Sequence, residues 1–288
     1  MSQLVPTAAI PRLVPPPSID ITMPVSSPPP PPLFSVNRNM GGTGTGKTRL
    51  AVDLALRFGG EVINADKTEV YKGVDVATNK VTAEECAGVP HHLLGVAHPA
   101  DAEFTAVDFR REESRAAGAV TARGRRPIIA GGSNSYIDEV IDGDRRALCE
   151  RYDCFFLCVD VQSTVLHGFV GHRVDEMCGR GLVDEVAAAF DPRRTDYSRG
   201  IWCAIGVPEL DAYLRSFSSG DDEERAWLLA IAIEEIKANT RQRSCRQRAK
   251  IQRLAAGWPV ASPPRRHHGV LPAALRRRRR GLGAARRC

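Results

Sequence analysis

The run Gly41-Gly42-Thr43-Gly44-Thr45-Gly46-Lys47-Thr48 constrains this chain more than any other feature, because a GxxxxGK[ST] pattern works only between a strand and a helix. Its glycines let backbone N–H groups curl around phosphate oxygens at a helix N-terminus. Lys47 adds a point charge, and the Thr48 hydroxyl is a ligand for Mg²⁺. The spacing predicts a helix over 48–58, with Leu50, Leu54 and Phe58 on one face and Ala51 and Ala55 beside them. The segment before the loop, 34–40, puts the three consecutive polar residues Asn37, Arg38 and Asn39 where a central parallel strand is almost wholly apolar.

Downstream, short apolar runs alternate with helical patterns. Strands are predicted over 61–65, 127–130 and 154–161, and a helix over 106–123 that Gly124 stops. Strand–helix alternation implies βαβ units around a parallel sheet, with ligands at the carboxyl ends of the strands. The P-loop, Asp66 and Gly131-Gly132-Ser133 all fall at such ends. Beyond Val161 the chain turns helical, over 165–178, 182–190, 208–217 and 223–254. The fold class is therefore α/β, a P-loop NTPase-like parallel sheet flanked by helices, with a smaller helical C-terminal region. The expected organisation is a core over 33–160 and a mainly helical part over 161–258 that completes a cleft.

The ends are of another character. Residues 1–32 hold eleven prolines and a single acid, Asp20, a composition that predicts disorder and is compatible with an organelle transit peptide. Residues 259–288 predict a disordered, arginine-rich tail. The net charge of +6 belongs to that tail: without its nine arginines the remainder carries −3, so overall basicity is no argument for nucleic-acid binding. No apolar run is long enough to span a membrane. Eight scattered cysteines with no CxxC pair imply mostly buried, reduced thiols. His91-His92 predicts structural histidines rather than a metal pair, since adjacent side chains in a strand point apart.

Asp66, at the end of the second strand, can face bound phosphates, bind Mg²⁺ through water, accept a proton from a nucleophile, or cap the following turn. Along the last helix Arg241, Arg243, Arg246, Arg248, Lys250 and Arg253 predict mainly a solvated basic face, with one or two reaching a phosphate in the cleft.

A succession of motifs then resembles one family. Asn64-Ala65-Asp66-Lys67, Val70-Tyr71-Lys72-Gly73, Thr78-Asn79-Lys80 and Val89-Pro90-His91-His92 come first. Gly131-Gly132-Ser133-Asn134-Ser135-Tyr136, Arg173-Val174-Asp175-Glu176, Ala204-Ile205-Gly206-Val207-Pro208-Glu209 and Glu234-Glu235-Ile236-Lys237-Ala238-Asn239-Thr240 follow in order. Over 40–258 the chain resembles the isopentenyltransferases, and Lys67, Thr78-Asn79-Lys80 and Gly132-Ser133-Asn134 resemble the plant branch that acts on free adenine nucleotides.

The resemblance implies transfer of a dimethylallyl group from dimethylallyl diphosphate to the N6 amine of AMP, ADP or ATP, with Mg²⁺, in a plastid, or alternatively in cytoplasm or mitochondrion. It implies Asp66 as base, Thr43 near the reacting centre and Lys47 at the leaving diphosphate. Gly41, Gly42, Gly44, Thr45, Gly46, Thr48, Lys80, Ser133 and Arg173 complete the diphosphate and nucleotide contacts. Two departures stand out: Trp202 and Cys203 occupy positions where the resemblance implies arginines, and the tail is unrelated. A tRNA acceptor, a P-loop small-molecule kinase and an inactive copy remain as alternative readings.

Overall fold

The computed structural model describes residues 35–97, 102–133, 136, 153–218 and 221–256. The expectations for 1–32, 259–288, Asn134 and Ser135 lie outside the described residues. The chain builds strand β1 (Ser35–Gly41), helix α1 (Lys47–Phe58), β2 (Gly60–Asn64), a single-turn α2 (Ala83–Cys86) and β3 (His91–His92). It continues with α3 (Ala106–Ala122), β4 (Arg126–Gly131), β5 (Asp153–Val159), α4 (Ser163–Gly179) and α5 (Leu182–Ala189). A short α6 (Asp211–Arg215) precedes the long α7 (Asp222–Ala256). All five strands run parallel in one sheet, ordered β3-β2-β4-β1-β5.

Alternation along the strands divides the core. Val62 and Ile128 point to one face, where they pack with Ala51, Val52 and Ala55 of α1. Ile63 and Ile129 point to the other, into a larger cluster with Tyr71, Phe109, Tyr136, Leu182 and Ile236. There the Tyr136 ring stacks on Phe109 at 4.2 Å, and its hydroxyl donates to the Phe104 carbonyl at 3.1 Å. Helix α3 starts at a capping box in which Thr105 and Asp108 satisfy each other's backbone N–H.

Several expectations are corrected. The polar segment before the P-loop is a strand, and a central one: Asn37 pairs with Ile128 of β4 on one side and Phe155 of β5 on the other. Ladder hydrogen bonds use the backbone, so polar side chains did not prevent it. On α1 the buried residues are Ala51, Val52 and Ala55, whereas Phe58 is exposed. The alanines let the helix axis lie close to the sheet, which places the larger side chains at its margin. The helix expected over 208–217 is split into 3-10 turns around α6. Cys86, Cys178 and Cys203 are half-buried rather than buried, and Cys158 on edge strand β5 and Cys245 are exposed.

At the carboxyl edge of the sheet the backbones of β2 and β4 almost touch. A Cβ on Gly131 would lie 2.2 Å from the Ala65 carbonyl oxygen, and that oxygen is backbone that cannot swing away. Gly131→Ala is expected to lower stability by about 1–3 kcal/mol or more, as overpacking does. Urea unfolding of the purified variant, read by circular dichroism, measures it.

Candidate active site

Strand β1 delivers Gly41 to the carboxyl edge of the sheet and α1 begins at Lys47, so the P-loop forms between them as the sequence predicts. Gly46 caps α1 with φ +86°, a left-handed conformation that strains any side chain. The first-turn amides of the helix have no intrahelical acceptor and the dipole favours an anion there. The loop folds on itself. Lys47 Nζ and Thr45 Oγ1 both donate to the Gly42 carbonyl at 2.9 Å. Thr48 is exposed on the first turn of α1.

Asp66 follows β2. Its Oδ1 accepts the Thr68 N–H at 3.0 Å and the Thr68 hydroxyl at 2.8 Å, and Arg243 of α7 stands 3.6 Å away. Burial pushes this carboxyl up, but Arg243, the Thr68 hydrogen bonds and Lys47 together hold it below the usual carboxylate range. Asp66 is therefore ionised at neutral pH. Glu69, one turn on, is the opposite case: burial first, and the Asp66 charge second, raise it to about 8. Lys47 is brought down to about 8, because burial outweighs the attraction of Asp66. Arg173, from α4, joins this group and is anchored by Asn79, whose Oδ1 accepts from Nε at 3.1 Å.

A cleft of about 510 Å³ opens beside these groups. Lys67 and Ser133 line its sheet side, Ile205 and Glu209 one wall, and Asn239, Gln242, Arg243, Arg246 and Gln247 of α7 the other. The Ser133 hydroxyl accepts the Lys67 N–H at 2.6 Å. Glu209 braces the wall by accepting from Gly206 N–H and Asn239, both at 2.7 Å.

Not every expected residue converges. Lys80 turns into its own loop, ion-paired with Asp75 at 2.8 Å and donating to the Gly73 carbonyl and Thr78 hydroxyl. Neither Trp202 nor Cys203 lines the cleft. The Trp202 ring packs under the Arg194 guanidinium, 4.0 Å away, and the Cys203 thiol donates to the Gly200 carbonyl. His91 and His92 bond to the Val89 carbonyl and Glu61, and no cluster of three metal-binding side chains occurs among the described residues.

On the basic helix face Arg243 and Arg246 line the cleft, Arg246 and Arg253 are exposed, and Arg248 forks onto Asp160 at 2.7 and 3.2 Å. Sequence reasoning missed Glu69, Ser244 and Gln247. The last two had a readable signal. The buried stripe of α7 runs Ala232, Ile236, Ser244, Gln247, Ile251, and polar residues in phase with a buried stripe mark a helix crossing backbone that needs partners. Ser244 donates to the Thr43 carbonyl at 3.1 Å, and Gln247 Oε1 accepts from the Thr43 N–H at 2.8 Å.

Comparison with known proteins agrees with this geometry. The IPP transferase family model matches residues 69–151 and 142–253. Adenylate isopentenyltransferase 5, chloroplastic, of Arabidopsis thaliana is 56% identical over 220 residues, 76% of this chain and 66% of that protein. Adenylate isopentenyltransferase 7, mitochondrial, of the same plant is 50% identical over 77% of this chain and 67% of its own length. The chain thus spans about two thirds of these relatives, and less than two thirds of the first. Among solved structures, the tRNA isopentenylpyrophosphate transferase of Bacillus halodurans superposes with a TM-score of 0.62 at 26% identity, over 76% of this chain and 87% of that one. This chain belongs to the IPP transferase family.

The two groups at about 8 set a pH dependence. Below that pH Lys47 is a cation and Glu69 neutral; above it Lys47 loses its charge and Glu69 becomes an anion. Both changes disfavour an anion at the P-loop, so affinity for inorganic diphosphate is expected to fall about tenfold or more from pH 7 to 9. Calorimetric titration across that range checks it. Glu69→Gln is expected to flatten the profile and Lys47→Arg to shift the fall to higher pH.

Proposed function

Proceeding from family membership, we propose that this chain transfers a dimethylallyl group from dimethylallyl diphosphate to the N6 amine of an adenine nucleotide, AMP, ADP or ATP, the entry reaction of cytokinin synthesis. The observation that carries the reading is the pairing of an anion grip, Lys47 and the α1 N-terminus, with one fixed, ionised carboxylate, Asp66, within electrostatic reach of Lys47.

The chemistry follows from that pairing. Breaking the allylic C–O bond leaves negative charge on the diphosphate, which Lys47, Arg173 and the P-loop amides stabilise. The adenine amine is a poor nucleophile because its lone pair is delocalised into the ring. Asp66 orients it by accepting an N–H and removes the proton as the new C–N bond forms. Arg243 and Thr68 keep Asp66 ionised and immobile.

Magnesium fits this site as a companion of the substrate. Thr48, whose side chain is exposed on the first turn of α1, would hold the ion together with substrate oxygens, and the ion would neutralise charge on the leaving group. The plastid is the proposed location, supported by the acid-poor, proline-rich composition of 1–32 and by the chloroplastic relative. No helix among the described residues is long and apolar enough to cross a membrane.

Purified protein is incubated with Mg²⁺, dimethylallyl diphosphate and AMP, ADP, ATP or unmodified tRNA in separate reactions, followed by mass spectrometry. N6-prenyl nucleotide is expected. Product on tRNA alone would move the protein to the tRNA-modifying branch, and γ-phosphate transfer would make it a kinase. Absence of product with diphosphate still bound would mark an inactive copy. Asp66→Ala is expected to lower turnover about 100-fold or more while diphosphate affinity is unchanged or tighter.

A further inference from the structure

Arg173 is a half-buried guanidinium whose hydrogen-bond partner is an amide and not a carboxylate. Its Nε donates to the Asn79 side-chain oxygen at 3.1 Å, and the Arg180 guanidinium reaches the same oxygen at 3.4 Å. Burial pulls the proton affinity of Arg173 down, and Glu69, Glu85 and Asp66 oppose that pull from longer range. Each of the three is engaged elsewhere. Asp66 accepts from Thr68 and faces Arg243, the Glu85 carboxylate accepts the Thr82 N–H at 2.9 Å, and Glu69 is neutral at pH 7. Two cations thus converge on one uncharged oxygen, and no carboxylate among the described residues pairs with Arg173 directly.

The loop that carries Asn79 holds that oxygen still. Glu185 of α5 accepts the Val76 and Ala77 amides, and the Thr78 N–H and hydroxyl both donate to the Val74 carbonyl. Two residues lie in the left-handed region. Asparagine tolerates this at Asn79, φ +54°, but a β-branched side chain rarely adopts it, as Val74 does at φ +41°. Such a valine persists where its surroundings over-determine the backbone.

We propose that Asn79 is a positioning residue for Arg173: its amide oxygen orients the guanidinium and adds no charge, which leaves the cation available to a diphosphate at the P-loop. Lys47 and Arg173 are within electrostatic reach of each other, so an anion at the P-loop is attracted by both. An aspartate in the same place would hold the same geometry and neutralise the cation, because carboxylate and guanidinium pair strongly. The proposal rests on the functional reading above only for the occupant of the P-loop being a diphosphate, and it needs no particular acceptor.

Calorimetric titration of the purified chain with inorganic diphosphate and Mg²⁺ at pH 7 tests it. Asn79→Gly removes the oxygen and suits the positive φ; affinity is expected to weaken about 3–10-fold, the scale of one hydrogen bond. Asn79→Asp keeps the oxygen and the shape but adds a charge, and affinity is expected to fall about tenfold or more. A purely structural role predicts the reverse order, with the isosteric aspartate the milder change. In an Arg173→Gln background each Asn79 variant is expected to cost about threefold or less, because both act through the guanidinium. The proposal is overturned if Asn79→Asp binds diphosphate about as tightly as the parent, or if either variant costs as much without Arg173 as with it. A parent that binds no diphosphate overturns it too. Diphosphate binding without prenyl transfer to any acceptor would overturn the functional reading and leave this one standing. If Arg173→Gln binds too weakly to titrate, the order of the two Asn79 variants decides. If a thermal melt shows Asn79→Asp unfolded, the comparison of Asn79→Gly with and without Arg173 decides.

Discussion

The candidate site depends on α7 crossing the P-loop. A Gly-rich loop has little stiffness of its own, and here Ser244 and Gln247 supply what it lacks by bonding the carbonyl, amide and hydroxyl of Thr43. Arg248, one residue further, clamps the same helix to Asp160 just beyond β5 and to Ser163 at 2.6 Å. The helix is thus fixed at the loop and at the sheet, and its cleft-facing Arg243 is held where it meets Asp66. Exposed ion pairs contribute little on their own, but this one directs a guanidinium that keeps a carboxylate ionised.

Electrostatics at the sheet edge are arranged by opposition. Asp66 and Glu69 are three residues apart, yet one is pushed down and the other up, because Thr68 and Arg243 serve only the first. Groups with divergent proton affinities in one cleft are the usual mark of divided labour. Arg173 comes from α4 and Lys47 from α1, so these two neighbouring cations are brought together from separate parts of the chain. The loop over 74–80 is itself fixed by α5, where the Glu185 carboxylate accepts the Val76 and Ala77 amides at 2.9–3.0 Å.

The P-loop, the parallel sheet, α3 and the length of α7 were legible because periodicity and turn residues record backbone conformation directly. Asp66 was legible from its position at a strand end. The central place of β1 was not, since its residues are polar and its stability comes from ladders to two neighbours that no local pattern reveals. Helix α1 misled through its leucines: the alanines are buried, and close approach favoured the small side chains. The family resemblance implied Lys80 at the diphosphate, whereas in the structure Asp75, Gly73 and Thr78 take its donors within one loop. Glu69 had no signal, because its character arises from burial and from a carboxylate and a lysine folded against it.

Thr43 and Gln247 stand 204 residues apart in the chain. Contacts of such separation close late, after the loop entropy of everything between them has been overcome. During synthesis the P-loop emerges long before the helix that fixes it. The order of the P-loop at Thr43 is consequently a property of a chain that includes α7, and not of the strands and helices that precede it.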